Sequence, residues 1–67
     1  MAKIQLNGKK FTIGSKETIY SLLKKINLIN KKVAIEHNGI IIPKIRFKKK
    51  PLKNNDKLEI VHFIGGG

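Results

Sequence analysis

The chain has 67 residues and a mass of 7.6 kDa, with no Cys, no Trp and four aromatic residues. It carries fifteen Lys and Arg against four Asp and Glu, a formal charge of +11. That length holds one small domain and excludes a multidomain enzyme, and the lack of Cys excludes a disulfide framework or a thiolate metal site. Hydrophobic residues make up 40% of the chain, enough to form a core rather than a disordered coil.

The positive charge suggests a polyanionic partner. Fourteen of the fifteen cations are Lys, however, and they accompany twelve Ile and six Asn, the residues of AT-rich codons. Genome composition is therefore the competing source of the charge. Met1-Ala2-Lys3 leads straight into an alternating segment with no apolar leader, and the longest apolar run is Ile40-Ile41-Ile42, too short to span a membrane. The expected location is cytoplasmic, with no membrane partner.

Lys3-Ile4-Gln5-Leu6 and Lys10-Phe11-Thr12-Ile13 both alternate polar with apolar residues, and Asn7-Gly8 between them suits a tight turn. Residues 3–13 are predicted as a β-hairpin with Ile4, Leu6, Phe11 and Ile13 on one face. Ile19, Leu22, Leu23 and Ile26 then fall on one helical stripe. The helix is predicted over 18–26, with a continuation through Leu28 and Ile29. Thr18 is placed to cap it, Glu17 to lie at its positive end, and Lys24 and Lys25 to lie toward its negative end.

Val33 to Glu36 reads as a strand and Asn38-Gly39 as a second tight turn, with Ile40 to Ile42, ended by Pro43, completing either a second strand pair or a short return. Residues 44–55 read as a basic irregular stretch with Phe47 and Leu52 as inward anchors. Asn54-Asn55-Asp56 reads as a turn. A last strand is predicted from Leu58 to Ile64, with Leu58, Ile60, His62 and Ile64 facing one way and Glu59, Val61 and Phe63 the other. The order ββαββ(β) predicts an α+β fold with a helix laid across a sheet.

Little in the chain suggests catalysis. His37 and His62 read as solvated or strand-edge histidines, the four carboxylates are scattered, and no glycine-rich phosphate loop precedes a helix. No catalytic or metal-binding residue is assigned. For nucleic acid, Arg46 and Lys48–Lys50 supply charge, with only Phe47 and Tyr20 nearby to stack on bases, so a solvated loop is the favoured reading.

The end of the sequence, Gly65-Gly66-Gly67, is the unusual feature. Glycines there cannot pack, and they cost more backbone entropy to order than other residues. A frayed tail or cloning scar is the plain reading. The functional one is a flexible tail, residues 65–67, that threads a narrow channel of another enzyme and presents the α-carboxylate of Gly67. A carboxylate can attack the α-phosphate of ATP, and the resulting acyl-adenylate is open to a sulfur nucleophile.

The arrangement resembles the ubiquitin-like β-grasp sulfur carriers, and among them the ThiS group of thiamine biosynthesis. The matching segments are Ile4–Gly8, Thr18–Leu23, Val33–Pro43 and Asp56–Gly67, of which the last is the most specific. Lys44 stands where the group commonly has Arg, Asn54-Asn55-Asp56 departs from its usual turn, and Lys48–Lys50 is more basic than usual.

The resemblance implies a β-grasp domain over 1–64, with four to five strands in a mixed sheet and one helix across it. It implies a carrier, not an enzyme, with no bound cofactor. A ubiquitin-activating-like adenylyltransferase would use ATP on Gly67, a persulfide donor would supply sulfur, and thiazole synthase would accept it from the thiocarboxylate. Gly65 and Gly66 would thread the channel, and Val61, Phe63 and Ile64 would dock the partner. The alternatives are a carrier for molybdopterin, cysteine or methionine synthesis, or a small basic RNA-binding module.

Overall fold

The computed structural model describes residues 1–62; Phe63 to Gly67 lie outside the described residues. Among the described residues the elements are β1 (Ala2–Leu6), β2 (Lys9–Ile13), α1 (Ile19–Lys25), β3 (Val33–His37), β4 (Ile40–Ile42), a 3-10 helix (Lys44–Lys49) and β5 (Lys57–His62). The strands form one mixed sheet in the order β2-β1-β5-β3-β4. The expected α+β fold is what is found, with five strands.

Both hairpin turns form at the Asn-Gly pairs. Asn7 and Gly8 have φ of 49° and 81°, and Asn38 and Gly39 have 50° and 85°. Two successive positive-φ residues match the twist of the flanking strands, and Asn and Gly tolerate them best. The register puts Ile4 opposite Phe11 and Ala2 opposite Ile13, so the predicted apolar face is shared across the hairpin.

The helix lays Ile19, Leu22 and Leu23 on that face, all fully buried. Thr18 caps it: its hydroxyl accepts from Ser21 N–H at 3.1 Å, and Ser21 Oγ accepts from Thr18 N–H at 2.8 Å. The predicted continuation through Leu28 and Ile29 does not occur. Asn27 takes φ 62°, which ends the helix, and Leu28 N–H turns back to Leu23 C=O at 2.8 Å. Leu28 and Ile29 still pack against the core, so their apolar character reflects burial in the turn rather than helix.

A second correction concerns residues 44–49, expected to be irregular. They form a 3-10 helix, opened by Arg46 N–H donating to Pro43 C=O at 2.9 Å. The element buries only Phe47, so it leaves no repeating apolar stripe in the sequence. Phe47 and Leu52 are inward anchors as predicted. Backbone bonds from Ile19 N–H to Lys50 C=O and from Leu52 N–H to Glu17 C=O, at 3.0 and 2.8 Å, tie the segment after the 3-10 helix to the start of α1.

Candidate docking and transfer site

β5 is the central strand, parallel to β1 and antiparallel to β3. Its Leu58 and Ile60 point into the core, as the alternation requires. His62, on the same side by register, is exposed, because it lies at the end of the sheet opposite Val33. The ladder to β1 is short, pairing Gln5 with Lys57 and Leu6 with Leu58. Asn7 extends it with its side chain: Oδ1 accepts from Ile60 N–H at 2.7 Å and Nδ2 donates to Ile60 C=O at 3.1 Å. The strand that precedes the glycines is thereby held on both edges.

Of the predicted site residues, Val61 is described. It is 58% exposed on the sheet face opposite the helix, across from Ala34. Phe63, Ile64, Gly65, Gly66 and Gly67 lie outside the described residues. The same open face carries exposed Ile41 opposite Glu36, and Glu36 opposite Glu59. Two carboxylates far apart in sequence therefore sit side by side, next to an apolar patch. Sequence reasoning missed Ile41 as a member of this face, because three consecutive Ile leave no polar alternation to mark the outward one; its pairing with Glu36 does so.

The other carboxylates are structural. Glu17 lies immediately before the Thr18 cap, at the positive end of the helix as expected. It is buried, and its Oε1 accepts from Lys25 Nζ at 2.8 Å. That bond, with further help from Ser21 and the Gly14 N–H, lowers its pKa below the usual carboxylate range.

His37 is the main correction among the titratable groups. Expected at a solvated edge, it is buried with Nε2 2.7 Å from Asp56 Oδ2. Asp56 also accepts from Asn38 Nδ2 at 3.0 Å and Lys53 N–H at 2.8 Å. Burial pushes the Asp56 carboxyl up, but these bonds outweigh it and hold the group below its ordinary value. An ionised carboxylate only accepts, so His37 Nε2 carries the proton. The pair clamps the β3–β4 turn to the turn that feeds β5.

The stacking platform considered for nucleic acid is not available. Phe47 is buried, and the Tyr20 ring is half-buried with Lys48 Nζ 4.8 Å from its centroid. Among the described residues no group of three or more His, Cys, Asp or Glu is placed to hold a metal, and no helix is long and apolar enough to cross a membrane.

Comparison with known proteins fits this geometry. Residues 3–67 match the model of the ThiS family. The sulfur carrier protein ThiS of Bacillus subtilis is 46% identical over 68 residues, covering 96% of this chain and 98% of that protein. A thiazole synthase from Paramagnetospirillum magneticum is 38% identical over 65 residues, covering 97% of this chain; the chain spans only 20% of that protein's length. The crystal structure of the thiamine biosynthesis protein ThiS from Geobacter metallireducens superposes with a TM-score of 0.84 at 26% identity, covering 97% of this chain and 99% of that one. The likeness runs from the first hairpin through the central strand to the glycines, and it leaves one assignment: the chain belongs to the ThiS family.

Proposed function

We propose that this protein is a sulfur carrier for thiazole formation in thiamine biosynthesis, and that it is a carrier rather than a catalyst. The observation that carries the reading is the match to the Bacillus subtilis carrier over nearly the whole of both chains. A central strand fixed on both edges and followed in sequence by Phe63-Ile64-Gly65-Gly66-Gly67 supports it. That a protein named thiazole synthase contains a segment like this chain supports thiazole synthase as the acceptor.

The chemistry rests on the α-carboxylate of Gly67. One carboxylate oxygen attacks the α-phosphate of ATP on a ubiquitin-activating-like adenylyltransferase, and pyrophosphate leaves. The terminal sulfur of a donor persulfide then attacks the carbonyl carbon and AMP leaves, giving an acyl disulfide. A thiol attacks the donor's sulfur in that bond, forms a disulfide with the donor and so releases the thiocarboxylate, an ionised soft nucleophile suited to carbon–sulfur bond formation. Gly65 and Gly66 thread the channel of the activating enzyme, and Val61, Phe63 and Ile64 dock beside it. The carrier binds no cofactor of its own, and the cytoplasm is where it meets ATP and the persulfide donor.

Deleting Gly66 and Gly67, or replacing Gly67 with Val, should abolish ATP–pyrophosphate exchange by the activating enzyme while thermal unfolding stays unchanged. Exchange that persists in the deletion would remove Gly67 from the reaction.

A further inference from the structure

The 3-10 helix Lys44–Lys49 buries Phe47 and turns its other side chains outward. Ile45 is 87% exposed there. An isoleucine so placed contributes almost no burial to folding. It stands between two recesses. One of about 450 Å³ is lined by Ile45, Arg46, Lys49 and Lys50. The other, about 490 Å³, also includes Lys24, Lys44 and Lys48 in its wall. Among the described residues no acidic side chain lines either recess. Glu17 and Asp56 are engaged by Lys25 and His37, and Glu36 and Glu59 lie on the open face of the sheet.

The surface is continuous with the end of β5. Asn30, Lys44 and Phe47 line both the second recess and a third that includes Val33. Val33 is the cross-strand neighbour of His62, the last described residue of the strand. Asn30, Lys44 and Phe47 thus link the surface around Ile45 to the neighbourhood of the last described residue of β5.

We propose that Ile45, ringed by Lys44, Arg46 and Lys49, is a docking contact for an acidic protein surface on the enzyme that adenylates the C-terminal end. This inference rests on the sulfur-carrier reading. An exposed aliphatic side chain inside a cationic rim fits an apolar seat surrounded by carboxylates. RNA fits less well, because Phe47 is buried and Lys48 lies over the Tyr20 ring. A membrane fits less well too, because Ile45 is the one exposed aliphatic of this element.

The test is the affinity of the full chain for the activating enzyme, measured by calorimetry, together with its salt dependence. Lys44→Glu/Lys49→Glu is compared with Lys3→Glu/Lys16→Glu, which makes the same change in net charge at the end of the sheet away from His62. The proposal expects the first pair to weaken binding about tenfold and flatten its salt dependence, with the second pair changing it less than about twofold. Ile45→Ser should weaken binding about fivefold and leave the salt slope unchanged. All variants alter exposed side chains, and their thermal unfolding is checked alongside.

Equal weakening by both lysine pairs would assign the effect to net charge and overturn the docking contact. So would wild-type affinity in all three variants. Retention of a single-stranded oligouridine by the wild type, lost in Lys44→Glu/Lys49→Glu while enzyme binding is unchanged, would overturn it in favour of nucleic acid. A wild-type chain that the enzyme does not adenylate would overturn the sulfur-carrier reading, and this contact with it.

Discussion

Asp56 accepts three hydrogen bonds in the turn that feeds β5, and Glu17 accepts from Lys25 and Gly14 below the helix cap. Both carboxyls sit below their ordinary pKa in the folded protein. The folded state therefore binds fewer protons than the unfolded chain across the acid range. Their stabilisation is complete above the usual carboxylate range and is lost as pH falls through the depressed values. Asp56→Asn should cost about 2 kcal/mol at neutral pH and less in acid. Thermal unfolding of the two proteins should converge as pH drops below about 4. Curves that stay parallel would show that Asp56 has no such linkage. Neither His37 nor Asp56 is marked in the sequence as half of a buried pair. They are nineteen residues apart, on different elements, and only the pairing of β3 with β5 brings them together. Thr18, in contrast, is legible as a cap, because its bonds are local and its partner Ser21 lies three residues on.

At the scale of elements, the two hairpins are readable for the same reason. Each depends on an Asn-Gly pair between two strand-forming runs. The place of β5 is not readable, because alternation identifies a strand but not its neighbours. Its insertion between β1 and β3 is stabilised by the buried Leu58 and Ile60 and by the Asn7 side chain. Asn7→Ala removes both bonds to Ile60 and places Ala at φ 49°. It should destabilise the fold by about 2 kcal/mol. Amide exchange at Ile60 should accelerate more than at Ile35, which separates loosening of β5 from global unfolding. Leu58→Ala removes a fully buried side chain from the same strand and should cost about 3 kcal/mol in denaturant unfolding. The 3-10 helix escaped the sequence reading because one buried Phe47 in six residues leaves no stripe to find.

At the scale of the whole molecule, the charge of +11 is unevenly placed. Two of its four opposing carboxylates are engaged in the fold, and the other two share the open face with Ile41 and Val61. Association with the activating enzyme should slow as salt rises if the basic surface steers the encounter. A rate independent of ionic strength would assign the charge to composition. Of the candidate site, the sequence made Val61 legible as outward-facing, since strand alternation fixes its side once Leu58 and Ile60 are core. The proposed sulfur transfer rests on Gly67. The most direct test is the intact mass of the purified chain after incubation with ATP, the activating enzyme and a persulfide donor. A sulfur-carrying Gly67 gives a mass shift equal to one oxygen replaced by one sulfur, absent when Gly67 is deleted. An unchanged mass, with the same enzymes active on the Bacillus subtilis carrier, would contradict it.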